Sequence, residues 1–194
     1  MFQIRIHGRG GQGVVTAAEM LSVAAFLEGE HAQAFPSFGS ERMGAPVVSY
    51  CRIDDKEIRL REPILDPDAL IVQDPTLFKV VDVCQGLKAT GYLLVNSNRS
   101  LADLHLGAIA ARLPAGHALA VPASDLALKH IGRPLPNAVL LGAFAALTGI
   151  VDLKSVVAAI REAFPQKIAD PNIAAATAAY DEVAKSNTKA GAAA

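Results

Sequence analysis

Tryptophan is absent, aromatic residues make up 5% of the sequence, and the 194 residues include two cysteines, Cys51 and Cys84. With so little aromatic bulk, the core has to be built from Ala, Val, Leu and Ile. Hydrophobic residues still reach 52%, which excludes a disordered chain. Two distant cysteines without a CxxC cannot hold a conventional four-cysteine iron–sulfur cluster or a cysteine-rich zinc site. They suit reduced thiols in a cytosolic protein. Charged residues are sparse at 19%, and 18 basic against 19 acidic residues leave a net charge of −1. No basic stripe supports nucleic-acid binding, and no charge block suggests a membrane surface or an acidic polymer. No uncharged apolar run is long enough to span a bilayer. The first residues lack the layout of a signal peptide, so the expected compartment is the cytoplasm. The Asn98-Arg99-Ser100 sequon is then incidental.

What is present is alternation of strand and helix signals. Phe2, Ile4 and Ile6 alternate with polar residues and predict a first strand. Residues 14–28 have helical spacing and stop at Gly29. A second strand is expected over 31–35, ending at Pro36. Val47 to Ile53 and 57–61 flank Asp54-Asp55-Lys56 and read as an antiparallel hairpin. Short apolar runs at 70–72, 92–95 and 118–121 read as buried strands. Helices are expected over 76–83, from Ser124 as a cap to His130, and over 137–147, 153–164 and 173–185. The fold class is α/β: three layers, α/β/α, around a mixed, mostly parallel sheet with one antiparallel hairpin. Residues 1–186 form one domain, and 187–194 a flexible tail.

Gly8, Gly10 and Gly13 occupy the three positions of GxGxxG between a predicted strand and a predicted helix. Backbone amides and a helix N-terminus there can face an anion. Gly11 adds another position without Cβ, Arg9 can neutralise a phosphate, and Gln12 can donate an amide hydrogen bond. The plainer reading is a tight strand-to-helix turn that binds nothing. A NAD site also wants an acidic residue at the end of the second strand, where this chain has Pro36. The loop that follows offers the Ser37 and Ser40 hydroxyls and the planar fork of Arg42, with Glu41 to orient it. Its alternative is an ordinary surface loop. No GxSxG, HExxH or Walker sequence is present, and the five histidines show no ligand spacing. No catalytic residue and no metal ligand is identified in this chain, which reads as a binding subunit of something larger.

Two long motifs carry a resemblance. Gly8-Arg9-Gly10-Gly11-Gln12-Gly13 leading into Val14-Val15-Thr16-Ala17-Ala18-Glu19, and the stretch from Pro36-Ser37-Phe38-Gly39-Ser40-Glu41-Arg42 to Met43-Gly44-Ala45-Pro46, resemble the gamma subunit of the 2-oxoacid:ferredoxin (acceptor) oxidoreductases. Asp74-Pro75-Thr76-Leu77 and Asn137-Ala138-Val139-Leu140-Leu141-Gly142-Ala143 are similar to the same family. The resemblance implies a complex of anaerobic metabolism that oxidatively decarboxylates a 2-oxoacid with coenzyme A, giving acyl-CoA, CO2 and two electrons. It implies alpha and beta partners, with thiamine diphosphate and magnesium on the thiamine-binding chain, and a ferredoxin-like delta partner with iron–sulfur clusters. Electrons would pass to ferredoxin, or to NAD through a further FAD subunit. By resemblance, Gly8, Arg9, Gly10, Gly11, Gln12, Gly13, Ser37, Ser40, Glu41 and Arg42 face coenzyme A or the subunit junction. No cofactor is expected to be bound tightly by this chain itself. The competing expectations are a stand-alone Rossmann-type nucleotide enzyme and a pure scaffold.

Overall fold

The computed structural model describes residues 1–37 and 43–191, with side chains described as far as 186. Strands form where short apolar runs are bounded by Gly, Pro, Asp or Asn. These are β1 (Phe2–Arg9), β2 (His31–Pro36), β3 (Pro46–Asp54), β4 (Ala69–Val72), β5 (Tyr92–Asn96) and β6 (Ala118–Val121). They make one sheet in the order β2-β3-β1-β4-β5-β6. β1, β4, β5 and β6 pair in parallel, whereas β3 lies antiparallel between β1 and β2. β2 therefore points the same way as β1, and among the described strands only β3 is reversed. The carboxyl ends of the other five meet along one edge of the sheet.

The antiparallel element is present, but its expected partner is not. Residues 57–61 form no strand. Both sides of β3 are already paired, so the alternating pattern of 57–61 has no free edge to join. Leu60 within the segment and Glu62 just after it instead supply backbone carbonyls that accept hydrogen bonds from the Arg52 guanidinium at 3.5 and 2.5 Å.

Side chains alternate across the sheet. Ile4, Ile6, Cys51, Ile71 and Leu94 face α1 (Val14–Leu27), α3 (Ala123–Ile131), α4 (Asn137–Thr148), α5 (Leu153–Ala163) and α6 (Gln166–Gly191). Leu70, Val72, Leu93 and Val95 face a thinner layer made by a 3-10 helix (Pro75–Lys79), the short α2 (Gly107–Ala110) and their loops. The expected helix over 76–83 shrinks to that 3-10 turn. α4 is apolar on every side because it lies between β5 and α6. At Gly142 the backbones are so close that a Cβ would collide with the Ala176 carbonyl.

Two helix boundaries differ from expectation. Ser124 does not cap α3. Asn96, at the end of β5, accepts from the Ser124 amide at 3.0 Å and donates to its hydroxyl at 2.8 Å. α6 starts at Gln166, ahead of the expected start at 173, and continues through Pro171. Proline lacks the N–H that the turn needs. The Asn172 side-chain amide bonds the Ile168 carbonyl at 2.8 Å, next to the Lys167 carbonyl that the proline leaves without its helical donor.

The half of the second face formed by β1 and β3 is polar yet buried. Arg5 and Arg52 are 8% and 2% exposed, and neither makes an ion pair among the described residues. Arg5 donates to the Val83 and Gln85 carbonyls at 2.8 and 2.6 Å, and to His7 Nε2 at 3.0 Å. Burial, with the Arg5 charge alongside, pushes the His7 pKa down to about 3.

Between about pH 6.5 and the folded-state value, an unfolded chain binds a proton at His7 that the folded chain refuses. Stability should therefore fall as pH drops through that window. His7→Gln keeps an acceptor for Arg5 and removes the titration. Its urea midpoint should shift less between about pH 7 and about pH 4 than that of the wild type. Gly142→Ala should cost about 1–3 kcal/mol or more in the same assay, because backbone rather than a side chain blocks the new methyl.

Candidate functional site

The shared edge gathers the ends of β1, β4 and β5, close to where the strand order reverses. In open α/β sheets such a crevice is where ligands bind. Gly8 still pairs within β1, opposite Val47. A Cβ at Gly8 would lie 2.6 Å from Val14 Cγ2 and 3.2 Å from Gln73 Cβ, so α1 can pack this close only over glycine. Gly11 and Gly13 have φ of 93° and 70°, the left-handed region. Gly13 is the N-cap of α1 and offers no side-chain cap. The first intrahelical bond runs from the Ala17 amide to the Gly13 carbonyl at 2.9 Å. The amides of Val14, Val15 and Thr16 precede it, and their dipoles favour an anion. They border a cavity of about 250 Å3 that Arg9, Gly10, Gly11 and Val47 also line.

Arg9 and Gln12 brace this loop. Arg9 Nε donates to Asp74 Oδ2 at 3.0 Å, Nη1 to the Gly44 carbonyl at 2.9 Å, and Nη2 to Thr76 Oγ at 2.8 Å. Gln12 accepts from the Arg9 amide at 2.8 Å and donates to Asp74 at 3.2 Å. Burial works against ionisation of Asp74. The Thr76 hydroxyl and amide, Gln12 and Arg9 outweigh it and hold the carboxyl below its usual range. Asp74, which the sequence offered only within the Asp74-Pro75-Thr76-Leu77 stretch similar to the family, is thus the hub of the network. Nearby, Gln73 is 1% exposed, and neither atom of its side-chain amide has a partner among the described residues.

The two motifs meet through backbone. The Gly10 amide bonds the Ala45 carbonyl at 2.9 Å, and the Gly44 amide bonds the Gly10 carbonyl at 3.1 Å. Ser37 is exposed at the end of β2, with β3 between it and the glycine loop. Its amide bonds the Val48 carbonyl at 2.8 Å. Ser40, Glu41 and Arg42 lie outside the described residues.

Among the described residues, no group of three or more His, Cys, Asp or Glu is placed to hold a metal ion. Burial raises the Cys51 thiol to about 12 and the Cys84 thiol to about 11, so neither is a ready thiolate ligand. Two cysteines this far apart and this buried do not fit an iron–sulfur cluster. No described helix is long and apolar enough to cross a membrane.

Residues 3–182 match the family model described as pyruvate ferredoxin/flavodoxin oxidoreductase. The chain belongs to that family. It is 45% identical over 185 residues to the pyruvate synthase subunit PorC of Methanothermobacter thermautotrophicus, a match covering 95% of this chain and 97% of that one. It is 46% identical over 182 residues to the pyruvate/ketoisovalerate oxidoreductases common subunit gamma of Pyrococcus abyssi, covering 94% and 97%. The crystal structure of pyruvate oxidoreductase subunit PORC from Thermotoga maritima superimposes with a TM-score of 0.77 at 36% identity, covering 93% of this chain and 95% of that one. The oxidoreductase chain is accordingly a gamma-type subunit, one of several in a 2-oxoacid oxidoreductase, with the α/β architecture of PORC.

Replacing Asp74 with Asn should weaken the braced loop in a pH-dependent way. A depressed carboxyl contributes stability above its unfolded pKa of about 3.9, and that contribution is lost as pH falls through the folded value. Urea midpoints of wild type and Asp74→Asn should differ at about pH 7, and the difference should shrink as pH falls below about 3.9.

Proposed function

We infer that this chain serves an enzyme that oxidatively decarboxylates a 2-oxoacid with coenzyme A, and that it forms the coenzyme A side of the active site. The observation that carries the reading is the cavity beneath the uncapped first turn of α1. Its rim is a glycine loop fixed in place by Arg9, Gln12, Asp74 and Thr76. A rigid ring of amides at a strand-end crevice suits the phosphates of coenzyme A. Gly8, Gly10, Gly11 and Gly13 supply close approach, and Arg9 and Gln12 hold the loop's shape. On the motif shared with the family, Ser37, Ser40, Glu41 and Arg42 are further candidates for contact with coenzyme A.

Thiamine diphosphate, magnesium and the iron–sulfur clusters belong, in this reading, to alpha, beta and ferredoxin-like delta chains of one cytoplasmic complex. Electrons leave to ferredoxin, or to NAD through a flavin chain. The relative from Pyrococcus abyssi is named as common to pyruvate and ketoisovalerate enzymes, which favours choice of the 2-oxoacid by other subunits. A stand-alone dinucleotide enzyme fits less well. β3 occupies the place beside β1 where a dinucleotide fold puts the strand that binds ribose, and β2 ends in Pro36.

Anaerobic affinity purification of the chain from its own cells, with mass spectrometry, tests the assignment. A thiamine-binding chain and a cysteine-rich chain should co-purify, and a lone monomer or homodimer would refute it. In that complex, Gly11→Ala should raise the KM for coenzyme A more than that for the 2-oxoacid, since φ of 93° there disfavours any side chain. Equal effects on both would favour the scaffold role.

A further inference from the structure

A second cavity of about 380 Å3 opens on the other side of the glycine loop, between α1, the connection from α3 to α4, and α6. Its lining divides by chemistry. Ile131, Leu135, Phe164 and Ile168 are apolar, Arg133 and Lys167 are cationic, and no described acidic residue lines it. Neither cation makes an ion pair among the described residues.

Two helices begin here, α1 at Gly13 and α4 at Asn137. Both start without a side-chain cap and without an acidic residue in the first turn. Asn137 supplies an independent sign of a ligand. It is 7% exposed, it lines the cavity, and its side-chain amide has no hydrogen-bond partner among the described residues. Its polar atoms are not sealed off as those of Gln73 are, so they are open to a group that enters the cavity. The absence of a Cβ at Gly13 makes room for it, since a methyl there would collide with Asn137 Nδ2.

We propose that this cavity binds a phosphate-bearing organic anion. Arg133, Lys167 and the Asn137 amide hold the phosphate beside the first turns of α1 and α4, and the organic body lies on Ile131, Leu135 and Phe164. Two cations and two helix N-termini match the charge of a phosphate dianion. The phosphate can come from coenzyme A itself or from a separate nucleotide.

The test is calorimetric titration of the full-length chain with inorganic phosphate, ADP and coenzyme A. ADP or coenzyme A should bind saturably, and inorganic phosphate more weakly because it lacks the apolar body. Binding of coenzyme A alone, weakened in the Arg133/Lys167 variant below, assigns the site to the substrate, and binding of ADP weakened by the same variant assigns it to nucleotides generally. The double variant Arg133→Ala/Lys167→Ala should bind about ten- to a hundredfold more weakly. Lys154→Ala/Arg161→Ala, which removes equal charge from α5, should bind as wild type does. Should the first pair disturb folding, Arg133→Gln and Lys167→Gln singly give the same readout from exposed positions. Failure of all three probes to saturate the wild type would overturn the proposal. So would an unchanged Kd in a folded Arg133/Lys167 variant. The readout needs neither partner subunits nor turnover, so it stands apart from the purification experiment.

Discussion

One reversed strand organises the molecule. With β3 inserted between β1 and β2, its amino end arrives where β1 ends, and Arg9 falls opposite Pro46. That register brings Gly44 and Ala45 within backbone reach of Gly10. The two sequence motifs, 23 residues apart from Gly13 to Pro36, become one structural unit. A slip of one residue would turn Val47, Cys51 and Ile53 away from the helical layer and separate the motifs. The edge geometry, the bracing by Arg9 and the depressed Asp74 carboxyl all depend on this pairing.

The scarcity of aromatic residues has a counterpart in the packing. The core beneath the helices is filled largely by alanine, including Ala17, Ala24, Ala143, Ala176 and Ala179. Small side chains let α4 lie flat between the sheet and α6, and Gly142 allows the tightest approach. Such a core gains less area per residue than a Leu- or Phe-rich one. It compensates by bringing backbones close, where dispersion contacts are dense. Asn137, at the first turn of the buried helix α4, is placed by this packing rather than by any loop.

Most of the regular structure was legible because punctuation and periodicity agree. Gly29, Pro36, Asp74 and Gly149 each end an element that hydrophobic spacing had begun. The exceptions have physical causes. The alternation at 57–61 is real, but a strand needs an open edge, and sequence does not reveal that both edges of β3 are occupied. Ser124 has the residue type of a cap, yet Asn96, 28 residues earlier, reaches it across the sheet end. Pro171 has the residue type of a helix boundary, yet α6 begins before it and runs through it. At the site, the glycines were legible from spacing. The internal engagement of Arg9 with Asp74 and Thr76 was not, because it joins residues more than sixty positions apart.

Arg5 and Arg52 stand on paired strands, with Arg5 opposite Tyr50 and Gln3 opposite Arg52. Burying a guanidinium without a carboxylate is costly unless its N–H groups are all received. Here His7, Gln3 and Gln33 on the strands receive some, and carbonyls from chain without regular structure, at Leu60, Glu62, Ile64, Val83 and Gln85, receive others. In the folded protein that cover is fastened to two side chains that only the β1–β3 pairing holds side by side. A lysine in either place would offer a point charge instead of a fork, and could not gather several strands of cover at once. The two arginines thus make completion of the outer layer conditional on correct pairing of the inner strands.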